Sequence, residues 1–190
     1  QIPEGGVIKD ILVKNGKEVS KGEILVVLDK EISLQNLNSS QTKLEQKREQ
    51  LALKNLEKRK TIELFLSKIK NQKEIYDIEK NISKRMELLL QEGAVSEIYY
   101  LQQVRKANEI ASEIIENEKN LQRQELIIEQ QIKVISSEIS DLKAKNTEAL
   151  VKLKYKTIKA PLDGIIFDLK PSVSGFVAQS SQPIMKIVPF

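Results

Sequence analysis

The sequence predicts an α+β protein in which a long antiparallel α-helical hairpin is inserted into a small, split β domain. The main observation is the distribution of glycine and proline. Six of the seven glycines and all five prolines lie in two flanks, residues 2–30 and 156–190. Residues 31–155 contain Gly93 and no proline. Because both residue types disfavour helix interiors, the middle is free to be helical, and the flanks favour strands and turns.

Apolar spacing is the second observation, since it gives the middle segment a coiled-coil pattern. In its second half, one row of apolar residues has a step of seven: Leu121, Ile128, Ile135, Leu142 and Ala149. The members of a second row lie four residues after members of the first: Ile132, Ile139 and Leu153. The first half is less regular but similar, and we expect the same seam there: Leu37, Leu44, Leu51, Ile62, Ile69, Ile75, Ile82 and Leu89.

The position of Gly93, midway along this segment, predicts two helices of matched length. We expect helices over 31–91 and 96–154, with the tip of the hairpin at 91–96. At 1.5 Å per residue, each helix is about 90 Å long. Antiparallel pairing brings residues 30 and 156 together, so the flanks 1–30 and 156–190 are expected to complete one β domain around a hairpin of residues 31–155. Strands are predicted at Val7–Val13, Ile24–Leu28, Ile165–Leu169 and Ile184–Val188.

Composition narrows the function. Among the 190 residues, 31% are charged and 4% aromatic, and histidine and cysteine are absent. The chain therefore lacks the usual general base, a thiolate nucleophile and the commonest metal ligands. We predict no enzyme activity, no catalytic residue, no metal site and no cofactor. The formal charge of +4 comes from interleaved charges of both signs, which predicts solvated helix faces rather than nucleic-acid binding.

The two flanks resemble the two halves of a lipoyl/biotinyl-type domain. The first half has Asn15-Gly16, Lys21-Gly22-Glu23 and Leu28-Asp29, and the second has Ala160-Pro161-Leu162-Asp163-Gly164. A lipoyl-like domain split by a coiled-coil hairpin is the layout of HlyD-type periplasmic adaptors, the membrane fusion proteins of efflux pumps and type I secretion systems. The resemblance covers the whole chain. In the same place, true lipoyl domains carry their cofactor on a lysine in a tight hairpin, whereas Lys30 precedes a long helix, so we expect no modified lysine.

The predicted tip has a second resemblance. Adaptors that dock on a TolC-type channel have an arginine, a leucine four residues later and a serine seven residues beyond, and Arg85, Leu89 and Ser96 have these spacings around Gly93. The resemblance implies that these three residues contact the channel. The spacing alone favours a simpler interpretation, with Leu89 as a seam residue and Ser96 as the N-cap of the second helix. Within this architecture the docking role is preferred, and Ser96 can have both roles.

The resemblance further implies the function and the partners. It implies a non-catalytic adaptor in the periplasm of a two-membrane bacterium, bridging an inner-membrane transporter, ABC-type or proton-driven, to a TolC-type outer-membrane channel. Several copies, commonly six, would form a ring. A β-barrel domain and an inner-membrane anchor would lie beyond this chain, which begins without a methionine and is expected to be part of a longer protein. The closing Ile187-Val188-Pro189 resembles secretion-type adaptors, which favours type I secretion over multidrug efflux.

Two other classes of function stay open at this point. One is a self-associating coiled-coil scaffold, which does not explain the concentration of glycine and proline in the flanks. The other is a lipoyl/biotinyl carrier domain of an enzyme complex, which requires a modified lysine in a tight turn. The inserted hairpin argues against the second.

Overall fold

The chain has two long helices and seven short strands in a computed structural model that describes residues 5–170 and 173–190. In chain order, the elements are β1 Gly6–Ile11, β2 Glu18–Val19, β3 Ile24–Leu28, α1 Glu31–Gln91, α2 Glu97–Tyr155, β4 Thr157–Lys159, β5 Gly164–Phe167, β6 Val177–Ala178 and β7 Lys186–Val188. The predicted fold class, a helical hairpin inserted into a split β domain, is therefore confirmed.

The two sheets of the β domain each combine strands from both ends of the chain. One sheet has the order β4-β3-β1-β6 and the other the order β2-β5-β7. All five strand pairs among the described residues are antiparallel. Neither flank can form its sheets alone, because β1 and β3 lack their outer neighbours β6 and β4 without the second flank, and β2 lacks β5.

The core of the β domain is made of small and branched apolar residues. Its largest fully buried side chains come from both flanks, and the ten buried residues form one cluster: Ile8, Val13, Val19, Leu25, Val26, Leu28, Ala160, Ile166, Ala178 and Ile184. A hydrogen bond from Lys21 N to Asp163 Oδ1, 2.7 Å long, also joins the flanks. Lys30 is half-buried between β3 and α1, and its carbonyl accepts the N–H of Leu34 at the start of the helix.

Contacts divide the chain into two compact units. One contains the described residues up to Gln46 and those from Glu138 onward, and the other is Lys47–Ser137. The domain boundaries expected near residues 30 and 156 stay a prediction. Within the part of the chain that the structure describes, neither long helix has an apolar stretch able to span a lipid bilayer.

The helix seam agrees with prediction in α2 and in the first two thirds of α1. All eight predicted positions of α2 are buried or half-buried, as are Leu37, Leu44, Leu51, Ile62 and Ile69 of α1. The prediction is wrong for the last third of α1, where Ile75 and Ile82 are 48% and 38% exposed and Leu89 is 40% exposed. The buried or half-buried positions there are instead Gln72, Tyr76, Glu79, Ser83, Met86 and Leu90.

Polar residues explain why the seam departs from the apolar pattern. Asn117 of α2 is buried and donates to Gln72 Oε1 over 2.8 Å, while its own Oδ1 accepts from Lys68 Nζ at 3.0 Å. Gln72 in turn donates to Glu113 Oε2 over 3.0 Å. Because the amide groups of Asn117 and Gln72 have partners in this layer, the cost of desolvating them is largely offset. Such polar layers fix the register of paired helices at some cost in stability.

A second polar layer surrounds Glu79, whose side chain is buried in the seam. Its carboxylate accepts from Lys106 Nζ at 2.6 Å and from Gln103 Nε2. The hydrogen bond from Lys106, followed by that from Gln103, lowers the pKa of Glu79 below its usual 4.5. The layer therefore favours the ionised carboxylate in the folded hairpin.

We expect this layer to make the hairpin acid-sensitive. Since the pKa of Glu79 is lowered on folding, its stabilising contribution is complete above the usual pKa of 4.5 and is lost as the pH falls through the folded-state value. At pH 7, Glu79→Gln should lower the thermal midpoint by a few degrees relative to the unchanged chain. That difference should shrink below about pH 4. Thermal unfolding followed by circular dichroism between pH 7 and pH 3 measures it, and a difference independent of pH would contradict the assignment.

Candidate functional site

The candidate site is the turn that joins α1 to α2, and its geometry depends on Gly93. Gly93 has a φ of 73°, in the left-handed region that favours glycine. Ala94 N donates to Leu89 O over 2.8 Å, and Gly93 N donates to Leu90 O over 3.0 Å. This pair of bonds is the Schellman motif, which satisfies the last carbonyls of a helix and ends it. Gly93, which the sequence placed between the two helices, therefore ends α1 by a defined hydrogen-bond pattern.

Ser96 begins the second helix. Its carbonyl accepts hydrogen bonds from Tyr99 N at 3.1 Å and from Tyr100 N at 3.4 Å, which places it at the N-cap position. Helix α2 starts at the next residue, Glu97, whose negative charge in the first turn is favourable beside the helix dipole. The start predicted from the sequence, residue 96, is one residue early, which is within the usual ambiguity of helix ends. Ser96 is exposed, and its hydroxyl has no hydrogen bond to another described residue.

Arg85 and Leu89 lie one helical turn apart on the same side of α1, because residues four apart are neighbours on a helix surface. Leu89 is 40% exposed, so the interpretation of Leu89 as a seam residue is wrong. Arg85 is exposed and forms no ion pair with the described residues. The tip thus presents an unpaired guanidinium, an exposed leucine and a free hydroxyl beyond the turn.

Such a surface suits binding rather than catalysis. A guanidinium donates to carboxylates or carbonyls in a fixed geometry, and an exposed leucine fills an apolar notch in a partner. Within residues 5–170 and 173–190, no group of acidic side chains is arranged to hold a metal ion.

The conformation of Gly93 gives a direct prediction. No heavy atom lies within 4 Å of a Cβ built on Gly93, so a substitution there tests backbone strain alone. An L-residue in the left-handed region costs about 1–2 kcal/mol, so Gly93→Ala should lower the free energy of unfolding by that amount. Urea denaturation measures it. Gly93→Asn is the matched control, because asparagine tolerates this conformation and should cost less. Equal losses for both variants would contradict the strain argument.

Comparison with known proteins identifies the family to which the chain belongs. The family model described as "YknX, barrel-sandwich hybrid domain" matches residues 1–188. Among curated proteins, none has a sequence match to the chain. Many solved structures share the fold, among them the following three. The periplasmic adaptor protein EmrA has a TM-score of 0.58 at 20% identity, with 98% of this chain and 70% of EmrA covered.

The second is the soluble domain of LipC, a membrane fusion protein of a type I secretion system, with a TM-score of 0.52 at 18% identity, covering 100% of this chain and 98% of that structure. The third is the membrane fusion protein Spr0693 from Streptococcus pneumoniae R6, with a TM-score of 0.54 at 16% identity, covering 97% of this chain and 56% of that chain. At these identities, the likeness is one of fold. The family model, which spans almost the whole chain, shows that the protein belongs to the YknX barrel-sandwich hybrid family of membrane fusion proteins, as the resemblance to HlyD-type adaptors implied.

Proposed function

We propose that this chain is the non-catalytic adaptor segment of an export system, and that its hairpin tip docks on a TolC-type outer-membrane channel. The observation that carries the proposal is the tip itself. Arg85, Leu89 and Ser96 stand at the spacing of channel-docking adaptors, and all three are exposed. Side chains that serve only the seam would be buried against the opposite helix, and Leu89 is not.

The other partners follow from the family. We assign the transporter to the ABC type, with a proton-driven transporter as the alternative, and the location to the periplasm with an inner-membrane anchor outside this chain. The closing Ile187-Val188-Pro189, which resembles secretion-type adaptors, favours type I secretion over multidrug efflux. The copies would form a ring, with six expected. Energy for transport would come from the transporter, because no catalytic group is assigned to this chain.

Photocrosslinking from the tip in living cells tests the docking proposal. A benzophenone amino acid at Glu92 or Ala94, both exposed in the turn, should yield an adduct whose second component is an outer-membrane channel protein. The same probe at Lys60, on an exposed part of α1 far from the turn in sequence, is the control and should not reach the channel. Channel adducts from Lys60 as readily as from Ala94 would contradict docking by the tip, as would a tip adduct with an unrelated protein.

A further inference from the structure

The β domain has a groove between the outer strands of its two sheets. Strand β4 lies at one edge of the sheet β4-β3-β1-β6, and β7 lies at one edge of the sheet β2-β5-β7. Thr157–Lys159 of β4 and Ile187 of β7 line a space of about 440 Å³, which we call the edge groove. Small-molecule sites in proteins have volumes of about 300–1,000 Å³, so the edge groove is large enough for one small organic molecule.

The lining of the edge groove is mostly apolar and belongs to the core of the domain. Leu25 and Ile184, which are 2% and 6% exposed, are core residues that also line the groove. Ile158, Met185 and Ile187 pack against the same core but are only partly buried. A methionine side chain is flexible and adapts to the shape of a neighbouring molecule. The groove therefore offers an apolar contact surface to the hydrocarbon part of a ligand.

Three polar side chains also line the edge groove, and one of them is charged. Thr157 and Lys159 are two residues apart on β4, so they share one face of the strand and lie about 7 Å apart along it. Tyr155 precedes them at the end of α2. None of the three side chains has a hydrogen bond or an ion pair with another described residue. The groove thus combines an apolar lining with one uncompensated positive charge and two hydroxyl donors.

These charges and dimensions select the kind of molecule that fits. A lysine ammonium and two hydroxyls donate to the oxygens of a carboxylate, whereas a cation would meet Lys159 without an acidic side chain among the described lining residues. An extended peptide is a poor fit, because β4 and β7 have three residues each and such short edges offer few main-chain hydrogen bonds. The volume is in the lower part of the usual range, which favours one alkyl chain over the two chains of a phospholipid.

We propose that the edge groove binds a fatty acid, a single-chain aliphatic carboxylate. Its alkyl chain would contact Leu25, Ile184 and Met185, and its carboxylate would accept hydrogen bonds from Lys159 and the neighbouring hydroxyls. The inference goes beyond the proposed function and does not depend on the channel contact, since the groove is formed by the β domain and the last residue of α2. Decanoate is the probe for this site.

Methionine methyl resonances locate the binding directly. The chain has two methionines, Met185 in the edge groove and Met86 in the helical hairpin. In the purified chain with labelled methionine methyl groups, decanoate should shift the Met185 resonance in a saturable manner and leave the Met86 resonance unchanged. Met86→Leu assigns the two signals. Equal shifts of both resonances, or no saturable shift of Met185, would overturn the inference.

Three further probes test the chemistry of the ligand by calorimetry, each below the concentration at which it forms micelles or, for the lipid, as vesicles. Octanoate is shorter by two CH₂ groups and should bind at least about tenfold more weakly, because each buried CH₂ changes affinity about fourfold. Decyltrimethylammonium has the same chain length and the opposite charge, and it should also bind at least about tenfold more weakly. Phosphatidylglycerol vesicles test a two-chain anionic lipid. Equal binding of the cation, or binding of vesicles without binding of decanoate, would contradict the proposal.

A pair of lysine variants tests the role of the charge. Lys159→Gln should weaken decanoate binding by about tenfold, and its thermal midpoint should be unchanged because Lys159 is exposed. Lys9→Gln is the matched control, since Lys9 is exposed on β1 of the same domain but does not line the edge groove. Equal losses in the two variants would indicate a general attraction to basic surface and would overturn the site. Decanoate binding that persists when tip docking fails would support the site and contradict only the proposed channel contact.

Discussion

Replacing Gly164 with alanine is expected to destabilise the β domain by about 1–3 kcal/mol, the range for overpacking a filled site. Gly164 is buried at the start of β5, and a Cβ there would overlap Val188 O and lie 2.8 Å from Ile187 Cγ2 and 2.9 Å from Val188 C. Two of these three atoms are backbone, so rotation of a side chain cannot relieve the overlap. Strand β7 would have to move away from β5, and this movement would disrupt the sheet β2-β5-β7.

Urea denaturation and backbone amide exchange measure this effect, and faster exchange should concentrate in β5 and β7. Gly6→Ala is the matched control, because the nearest atoms to a Cβ at Gly6 are Lys156 Nζ at 3.3 Å and Leu28 side-chain atoms at 3.6 and 3.8 Å. Lys156 Nζ donates to Gly5 O at 3.0 Å and would have to move by only a few tenths of an ångström, so Gly6→Ala should cost much less than Gly164→Ala. Equal stability of the Gly164→Ala chain would mean that β5 and β7 are not packed as described.

Replacing Leu89 with aspartate is expected to reduce docking and export by at least about tenfold, because the side chain that the proposed channel contact buries becomes an unpaired carboxylate. The fold should be unaffected, since Leu89 lies outside the seam. Leu88→Asp is the matched control. Leu88 is the neighbouring residue and is 61% exposed, but it projects from a different side of α1. Export by cells with each variant, at equal protein levels and equal helicity, measures the difference. Equal loss for both variants would contradict a specific role for Leu89.

The organisation of the chain was predictable from sequence because glycine and proline act locally. Their exclusion from 31–155 predicted the helices to within one residue at each end, and Gly93 predicted the turn. The short strands β2, β4 and β6 were missed. Each has only two or three residues, too few for an alternating pattern, and it is their pairing with strands of the other flank that makes them strands.

The seam near the tip shows why apolar spacing alone was misleading. Ile75, Ile82 and Leu89 fit a heptad, and the sequence offered no reason to prefer the positions of Gln72 and Glu79 for burial. Gln72 is half-buried and Glu79 is buried because each forms hydrogen bonds with residues of α2, which the sequence of a single helix does not reveal. Ile75, Ile82 and Leu89 do follow a heptad spacing, but all three side chains are exposed in the structure. For the candidate site, the spacing of Arg85, Leu89 and Ser96 was found from sequence, whereas their common exposure needed the structure.

The most direct test of the adaptor function is crosslinking from position 94 to a purified TolC-type channel from the source organism. Yields are compared between the unchanged chain and the Arg85→Ala, Leu89→Ala and Ser96→Ala variants. The proposal predicts a specific adduct with the unchanged chain and a loss of yield in each variant, with helicity unchanged by circular dichroism. Equal yields in all four proteins would remove the three residues from the docking site, and the absence of any adduct would contradict docking of this tip on a channel.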